Sequence, residues 1–436
     1  MSVTTDGPSW PPLPEHVRSS GISLDEDEAA EKVLEGALRW IEAHMEWFAP
    51  QRWEEFLPRR PFPPGPLLEL LGLIRVLDRS DIVPKNAPLS SRAITLAEHA
   101  ASEVAFERGL RRSDELFPYH LNLVALLEVL GRPQPTLRAA CETLLAADAG
   151  GHTRPYKPVL TRIELRYFID RGGFTAPVRL PDIGTLHQQS IPALRPDLLQ
   201  LTESETYALT HALFYVTDFG HHRRLLGGCE EMAQLRESVR GLIGVHLARG
   251  NLDLLAELLL CEVALDDGCG SGPLAYAGWN ALASAQRPDG AVPSPVHRPE
   301  VLHSLAGDKA AAYLFGTCHH TTMAAALAAA VRRRRAPVDR QGGTERAAFT
   351  GSPLPRADPE EIRLWARNVY RESGAAPAST RVAWSGHLDA LLALSVQAHD
   401  PAVLAEVVRA AERLGQSDRL LVRSAAALLA AWCPRT

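Results

Sequence analysis

Lysine, cysteine and long apolar runs are scarce in this sequence of 436 residues. The bias of its basic residues toward arginine is interpreted as a compositional effect without functional meaning. The net charge of −6 argues against a nucleic-acid partner, because phosphate backbones are bound by basic surfaces. No uncharged apolar run reaches the ~18–20 residues that a transmembrane helix needs, so no membrane partner is expected.

The cysteines are scattered and include no Cys-x-x-Cys pair, which argues against the disulfide framework of a secreted protein. The N-terminal stretch lacks a basic segment followed by an apolar one, so no signal peptide is predicted. We therefore expect a cytoplasmic protein with reduced thiols. The cysteines are Cys141, Cys229, Cys261, Cys269, Cys318 and Cys433.

Several catalytic motifs are also missing. The sequence has no Gly-x-Ser-x-Gly elbow, no phosphate-binding P-loop, no His-Glu-x-x-His motif and no complete dinucleotide fingerprint. The Gly-Cys-Gly-Ser-Gly run at 268–272 has the wrong spacing and follows no strand. Serine-hydrolase chemistry and nucleotide-dependent chemistry are therefore not expected.

Apolar residues recur at helical spacing through most of the chain, while the alternation typical of strands is nearly absent. The short segment 177–180 is at most an extended piece. A hydrophobic content of 46% is ample for a large core. We predict an all-α fold of about fourteen helices. The predicted helical segments are 25–48, 64–80, 90–110, 119–131, 134–151, 157–170, 203–217, 229–249, 251–266, 273–286, 309–332, 358–372, 382–398, 400–413 and 416–432.

The predicted helices are of two kinds, some almost wholly apolar and others charged on one side. This alternation is typical of inner and outer helices in an α/α toroid or a helical solenoid. We predict a flexible segment at 1–24 and a single toroid-like domain at 25–436 with extra N-terminal helices. A mobile loop is expected at 333–357, and the arginines at 332–335 are interpreted as a solvated helix end.

Two clusters of metal-binding residue types lie 49 positions apart. Cys269 is in one, and Cys318, His319 and His320 are in the other. Each cluster is predicted to lie in a short loop that opens onto an apolar helix. Two thiolates and one imidazole are a ligand set that suits zinc, with a fourth position open in a catalytic site. The alternative is that the cysteines are small buried apolar residues and the histidines are ordinary helix starts.

The segment 210–222 is the second unusual stretch. His211, Tyr215 and Asp218 follow one another at spacings of four and three, so they are expected on one helix face. They could line a wet cavity or form a buried hydrogen-bond network. His221 and His222 follow directly, and His120 and His387 begin other apolar helices; their roles stay open.

The Cys269-Gly-Ser-Gly-Pro273 loop resembles the first zinc loop of lanthionine synthetase C-like cyclases, whose second loop carries Cys-His, as Cys318-His319 does here. That resemblance implies an α/α toroid with zinc held by Cys269, Cys318 and His319. It also implies an acid/base histidine, for which His211 is the nearest match.

A second resemblance is to the toroid of protein prenyltransferase β-subunits. There an Asp-x-Cys pair and a later His hold zinc, which implies Asp267, Cys269 and His320 as alternative ligands. The segment 278–290 is similar to the repeat ends of terpenoid-cyclase toroids, although the Asp-x-Asp-Asp acid of the class II enzymes is absent.

Zinc bound by thiolates can hold a substrate thiol as its thiolate at neutral pH. The first hypothesis is a zinc-dependent, lanthionine-cyclase-like enzyme, and the resemblance alone implies a role in peptide natural-product biosynthesis. It would add a thiol to an electrophile, with a modified peptide or a small-molecule thiol as substrate and with His211, Tyr215 and Asp218 as catalytic residues. One alternative is a toroid enzyme acting on a prenyl or terpenoid substrate, which a deep aromatic-lined pocket would support. The other is a non-catalytic helical scaffold that binds a peptide.

Overall fold

The structure, a computed structural model, describes residues 24–222, 227–266, 272–335 and 353–433. These ranges contain nineteen α-helices and no strand. The helices are α1 (Glu26–Ala43), α2 (Pro50–Phe56), α3 (Gly65–Arg79), α4 (Pro88–Ser102), α5 (Val104–Arg112), α6 (Phe117–Val129), α7 (Pro135–Ala146), α8 (Val159–Arg171), α9 (Ile183–His187), α10 (Glu203–Val216), α11 (Cys229–Arg249), α12 (Leu252–Leu265), α13 (Pro273–Ala285), α14 (Pro299–His303), α15 (Gly307–Arg335), α16 (Pro359–Glu372), α17 (Ala378–Gln397), α18 (Pro401–Arg413) and α19 (Leu420–Trp432).

The all-α prediction is confirmed, and most predicted segments differ from the observed helices by only a few residues. The segment predicted as one helix at 90–110 is two helices, because Glu103 adopts an extended conformation between α4 and α5. Three short helices, α2, α9 and α14, were not predicted, since five to seven residues carry too little periodicity. Residues 177–180 form a turn and not an extended piece, with the Leu180 amide donating to the Pro177 carbonyl.

Local sequence determines many of the helix ends. Asp25 with Glu28, and Thr202 with Glu205, form reciprocal capping boxes at the starts of α1 and α10. α11 ends at Gly250, whose φ of 69° is a left-handed conformation that glycine adopts without steric cost. These local signals explain why the boundaries were predictable to within a few residues.

Six helices contact one another in a cyclic order. α3 contacts α6, α6 contacts α8, α8 contacts α10, α10 contacts α12, α12 contacts α15, and α15 returns to α3. Residues pair in ascending order between α10 and α12, where Tyr207 bonds to Asp253 and Thr210 bonds to Glu257. These two neighbours therefore run in the same direction.

Other helices pack against the outside of this cycle. α1 contacts α15 and α13, α13 also contacts α11 and α12, and α4 contacts α3 and α6. The last four helices join through α17, which packs on α11 and α13. α12 is buried along its whole length, which fits its almost wholly apolar sequence.

The turn that follows α13 is closely fitted to α1. The Gln286 amide donates to the carbonyls of Val33 and Gly290, at 3.0 Å each. Gly290 has a φ of 99°, and a Cβ added there would lie 2.0 Å from the Gly36 carbonyl oxygen. Only glycine fits this contact, so the segment 278–290 has a packing role between α13 and α1.

Two sequence predictions fall mainly on residues outside the described ranges. The predicted flexible segment at 1–24 is described only at Leu24. Within the predicted mobile loop at 333–357, α15 continues to Arg335, and residues 336–352 lie outside the described part. No helix in the described ranges is both long and apolar enough to cross a membrane.

Candidate functional site

The six helices that contact in a cycle enclose a cavity of about 850 Å³. This volume lies in the range of small-molecule sites, about 300–1,000 Å³. Much of the wall is apolar and aromatic. The aromatic lining residues are Phe62, Tyr119, Tyr167, Phe168, Phe214, Tyr215 and Phe219.

Five of the six helices also place a glutamate or histidine on the cavity wall. These residues are Glu69 of α3, Glu164 of α8, His211 of α10, Glu257 of α12 and His320 of α15. Burying a charged group in an apolar wall costs free energy unless the group is paired or has a function. The convergence of these residues therefore identifies the candidate site.

His320 is surrounded by carboxylates. Its Nδ1 lies 3.0 Å from a Glu69 oxygen, and its Nε2 lies 3.7 Å from oxygens of both Asp253 and Glu257. Burial lowers the pKa of His320, but the charges of Glu69 and Asp253 and hydrogen bonds to Glu257 and Glu69 raise it well above its usual value. His320 is therefore an imidazolium at neutral pH, and it stabilises three carboxylates in return.

The carboxylates around His320 have further partners. Asp253 accepts hydrogen bonds from Tyr207 at 2.5 Å and from Thr321 at 2.8 Å. Burial raises the pKa of Glu69, but the charge of His320 and its hydrogen bond lower that pKa to about 2. Glu69 and His320 are therefore held ionised, and the geometry of the cluster is fixed from several helices.

His211 presents one ring nitrogen to the cavity. Its Nδ1 lies 2.9 Å from the Tyr207 carbonyl, which can only accept, so the proton of the neutral ring is on Nδ1. Nε2 is then an acceptor, and no residue of the described ranges donates a hydrogen bond to it. A Glu257 oxygen lies 3.6 Å from Nδ1 and would stabilise the ring if it became protonated.

Glu164 and Glu257 have pKa values displaced in opposite directions. Burial raises the pKa of Glu164, which accepts hydrogen bonds from Tyr215 and, at 2.9 Å, from Asn122. Burial also raises that of Glu257, but His211 and His320 more than offset this and lower it. Carboxyl groups whose pKa values are displaced in opposite directions are typical of a site in which one group holds a proton while another stays ionised.

Asp218 is placed differently from the prediction. α10 ends at Val216, so Asp218 does not share the helix face of His211 and Tyr215. It has a φ of 50° and is buried below the cavity, where it accepts hydrogen bonds from Arg75 at 2.8 Å and Tyr167 at 2.6 Å. Both interpretations of this stretch thus apply, because His211 and Tyr215 line the cavity while Asp218 belongs to a buried network.

The predicted zinc ligands do not form a common donor set among the described residues. Cys318 and His319 lie in the middle of α15, not in a loop at its start, so that prediction was wrong. α15 begins at Gly307, eleven residues before Cys318, so both residues lie well inside the helix. Cys269 and Asp267 lie outside the described ranges.

The neighbours of Cys318 and His319 fit zinc poorly. The Cys318 thiol lies 3.8 Å from His297 Nδ1, and burial raises its pKa to about 12. His319 is packed against Trp53 and Phe315, with Arg60 Nη2 3.3 Å from its Nε2. A guanidinium beside that nitrogen opposes a cation there. Across the described ranges, no group of three or more His, Cys, Asp or Glu residues has a geometry that could hold a metal ion.

We expect Cys318 to resist alkylation in the native protein. A pKa of about 12 lowers the thiolate fraction about 1,000-fold relative to a thiol of pKa 9, and burial adds to the protection. Iodoacetamide labelling followed by peptide mass spectrometry should modify the exposed Cys433 first. Labelling of Cys318 at the rate of Cys433 would contradict this. Protection that disappears together with bound zinc in C269A would support the zinc hypothesis instead.

The four histidines whose roles the sequence left open do not join the glutamates and histidines of the cavity wall. His120 packs between Phe62 and Phe106, and His387 is buried in α17. His221 and His222 are exposed beyond the Asp218 turn. Of the histidines whose roles the sequence left open, none lines the cavity within the described ranges.

No sequence motif points to Glu69, Glu164, Glu257 or Arg60, and the motifs indicate His320 only as an alternative metal ligand. One signal was available. Glu69 and Glu257 are single acidic residues within otherwise apolar runs, where a charge is rarely tolerated without a partner or a function.

A comparison with known protein families gives one match. Residues 34–330 match the family described as domain of unknown function (DUF6895), which is more than half of the chain. The chain belongs to the DUF6895 family. Every residue that lines the cavity lies within the matched range, whereas α16 to α19 lie outside it. No curated protein and no solved structure matches the chain.

Proposed function

We propose that this protein is an α/α-toroid enzyme that transfers protons to and from a prenyl or terpenoid substrate in its central cavity. The observation that carries the proposal is the aromatic wall interrupted by His211 and by two glutamates with oppositely displaced pKa values. The cyclic contacts of the six cavity helices support a toroid, in which they would form the inner layer.

Glu164 is the proposed general acid. Its raised pKa keeps a proton on the carboxyl group closer to neutral pH, and Tyr215 and Asn122 orient it. The proton adds to one carbon of a double bond, and the π electrons of that bond form the new C–H bond. The resulting cationic carbon lies among aromatic rings, whose faces attract cations.

His211 is the proposed base. Its Nε2 accepts a proton from a carbon beside the cationic centre, and that C–H electron pair forms the new double bond. The substrate gains one proton and loses one, so the net reaction is an isomerisation or cyclisation. Proton exchange with solvent restores the acid form of Glu164 and the neutral ring of His211. The ion cluster of His320 positions Glu257, which stabilises the protonated His211 ring.

The zinc-dependent thiol addition receives less support. It needs Cys318 and His319 to share a metal, and these two side chains have separate surroundings. The aromatic cavity and its acid/base residues have no part in that hypothesis. The alternative hypothesis of a prenyl or terpenoid substrate assigns a role to both the aromatic cavity and its acid/base residues.

Binding in the cavity can be tested at Gly72. This glycine lines the cavity, and a Cβ added there would meet nothing within 4 Å, so Phe at this position would project into open space. We expect G72F to abolish the binding of farnesol measured by calorimetry. Gly386 is equally unhindered but lies on α17 away from the cavity, so G386F should bind as wild type does. Equal farnesol binding by G72F, with its fold verified by circular dichroism, would overturn the location.

Proton transfer can be followed without knowing the natural product. Wild-type protein incubated with farnesol and geranylgeraniol in D₂O should introduce deuterium on carbon, detected by mass spectrometry. We expect E164Q and H211N to lower the rate about 10²–10⁴-fold. E35Q, on the exposed face of α1, should not. Bound alkene without deuterium uptake, or uptake unchanged in both site variants, would contradict the proposed chemistry.

A further inference from the structure

Arg60 occupies a fixed position at the edge of the cavity. Its guanidinium stacks on the Trp53 ring at 3.9 Å, and its Nη2 donates to His319 Nε2 at 3.3 Å. Nε2 can accept, because His319 Nδ1 donates to the Phe315 carbonyl at 3.0 Å. The side chain is therefore held by packing on one face and by one hydrogen bond.

The positive charge of Arg60 has no carboxylate partner within ion-pair distance in the described part of the chain. The acidic residue whose charge opposes the lowering of the Arg60 pKa by burial is Glu69. The Glu69 carboxylate is itself paired with His320, at 3.0 Å. A guanidinium has five N–H donors, and Arg60 commits one of them to His319. Held in place with unused donors, it resembles the arginines that bind phosphate and carboxylate groups in two-point contacts.

Apolar residues line the same cavity as Arg60. Phe62 and Leu68 are among them, and Leu73 and Leu126 lie farther along their helices. A cation that shares a cavity wall with apolar side chains matches the two kinds of group in an amphiphile. The polar wall around His320 is unsuited to an anion, because Glu69, Asp253 and Glu257 already surround that cation.

We infer that the cavity takes an amphiphile whose anionic head group, a phosphate or a carboxylate, is bound by Arg60 while its chain lies against the aromatic wall. The inference rests on the proposed function, since it concerns the substrate of the same cavity. A structural role for Arg60, as a brace between Trp53 and His319, is the competing explanation. It predicts no preference for any head group.

The test is a series of ligands that share one chain. Farnesyl monophosphate, farnesoate, farnesol and farnesylamine are titrated calorimetrically into the full-length protein. Charge-assisted hydrogen bonds should make at least one anion bind about 10- to 100-fold tighter than farnesol. The ranking of phosphate against carboxylate identifies the head group. Tighter binding of the amine, or equal binding of all four, would overturn the inference.

Variants of the adjacent residues Arg60 and Arg59 distinguish head-group recognition by Arg60 from a purely structural role. R60Q should lose the preference for the anion while still binding farnesol, and R60K should keep part of it because the charge remains. Arg59 is exposed and lies outside the cavity, so R59Q is the matched control and should behave as wild type. An unchanged preference in folded R60Q would refute the role of Arg60. If the wild-type protein does not bind farnesol, the proposed function itself is refuted.

Discussion

Replacement of Asp218 by Asn is expected to destabilise the protein by about 3–5 kcal/mol, because it removes the carboxylate that three arginines share. Arg75, Arg79 and Arg171 place guanidinium nitrogens 2.8, 2.9 and 3.2 Å from its oxygens. The Asp218 side chain is 3% exposed. Urea unfolding followed by circular dichroism would measure the loss.

Backbone conformation must be separated from charge in this experiment. Asp218 has a φ of 50°, and asparagine tolerates this left-handed conformation, so D218N changes mainly the charge. Asp81 provides the control, since it is exposed and has a φ of 55°. D81N should change stability by less than about 0.5 kcal/mol. A similarly small effect of D218N would show that the cluster contributes nothing net.

The cluster also supports the cavity. Arg75 and Tyr167 both line its wall, and both are oriented by Asp218. The pKa of Asp218 is raised by burial but lowered much more by Arg75 and Arg79, so it is held well below its usual value. Its contribution to stability is therefore present above pH 3.8 and is lost only as the pH falls toward the folded pKa.

The helices could be predicted because their information is local. Capping boxes such as Asp25 with Glu28, glycines such as Gly250 and regular apolar spacing determine most boundaries. The cyclic order of contacts could not be derived in this way. It depends on long-range pairs such as Tyr207 with Asp253, which a residue pattern within one helix does not contain.

The site was predictable only in part. His211 and Tyr215 were identified because polar residues on an apolar helix are unusual, and they line the cavity. The metal hypothesis relied on the adjacency of Cys318 and His319. Successive residues of a helix point in directions about 100° apart, so neighbours in sequence need not bind the same metal ion. The predicted helical segment at 309–332 already contains both residues, which argues against a metal-binding loop at its start.

The adjacent histidines of α15 show how strongly their surroundings differ. Burial lowers the pKa of His319 to about 4, whereas that of His320 is raised well above its usual value by the carboxylates around it. We expect NMR of the ring nitrogens to find His319 neutral and His320 protonated at pH 6 to 7.5. The E257Q and E69Q variants should each lower the pKa of His320.

The two histidines should also affect folding stability in opposite pH ranges. The folded pKa of His319 is depressed, so the unfolded chain binds its proton more tightly, and stability falls as the pH drops from 6.5 to 4. For a buried ring whose pKa is lowered from 6.5 to about 4, this loss is about 3 kcal/mol. The folded pKa of His320 is raised, so its contribution is complete below pH 6.5 and is lost as the pH rises through the folded value.

Comparison of H319N with wild type isolates the first effect, because only the change with pH is compared and not the absolute stability. H319N should lose about 3 kcal/mol of pH dependence between pH 4 and 6.5 in urea unfolding. H320N should still lose stability between pH 6.5 and 4, but its stability should no longer decline above pH 6.5. If H319N and wild type instead lose stability in parallel on acidification, His319 titrates normally in the fold. In that case the neutral ring on which the Arg60 hydrogen bond depends is not maintained in acid.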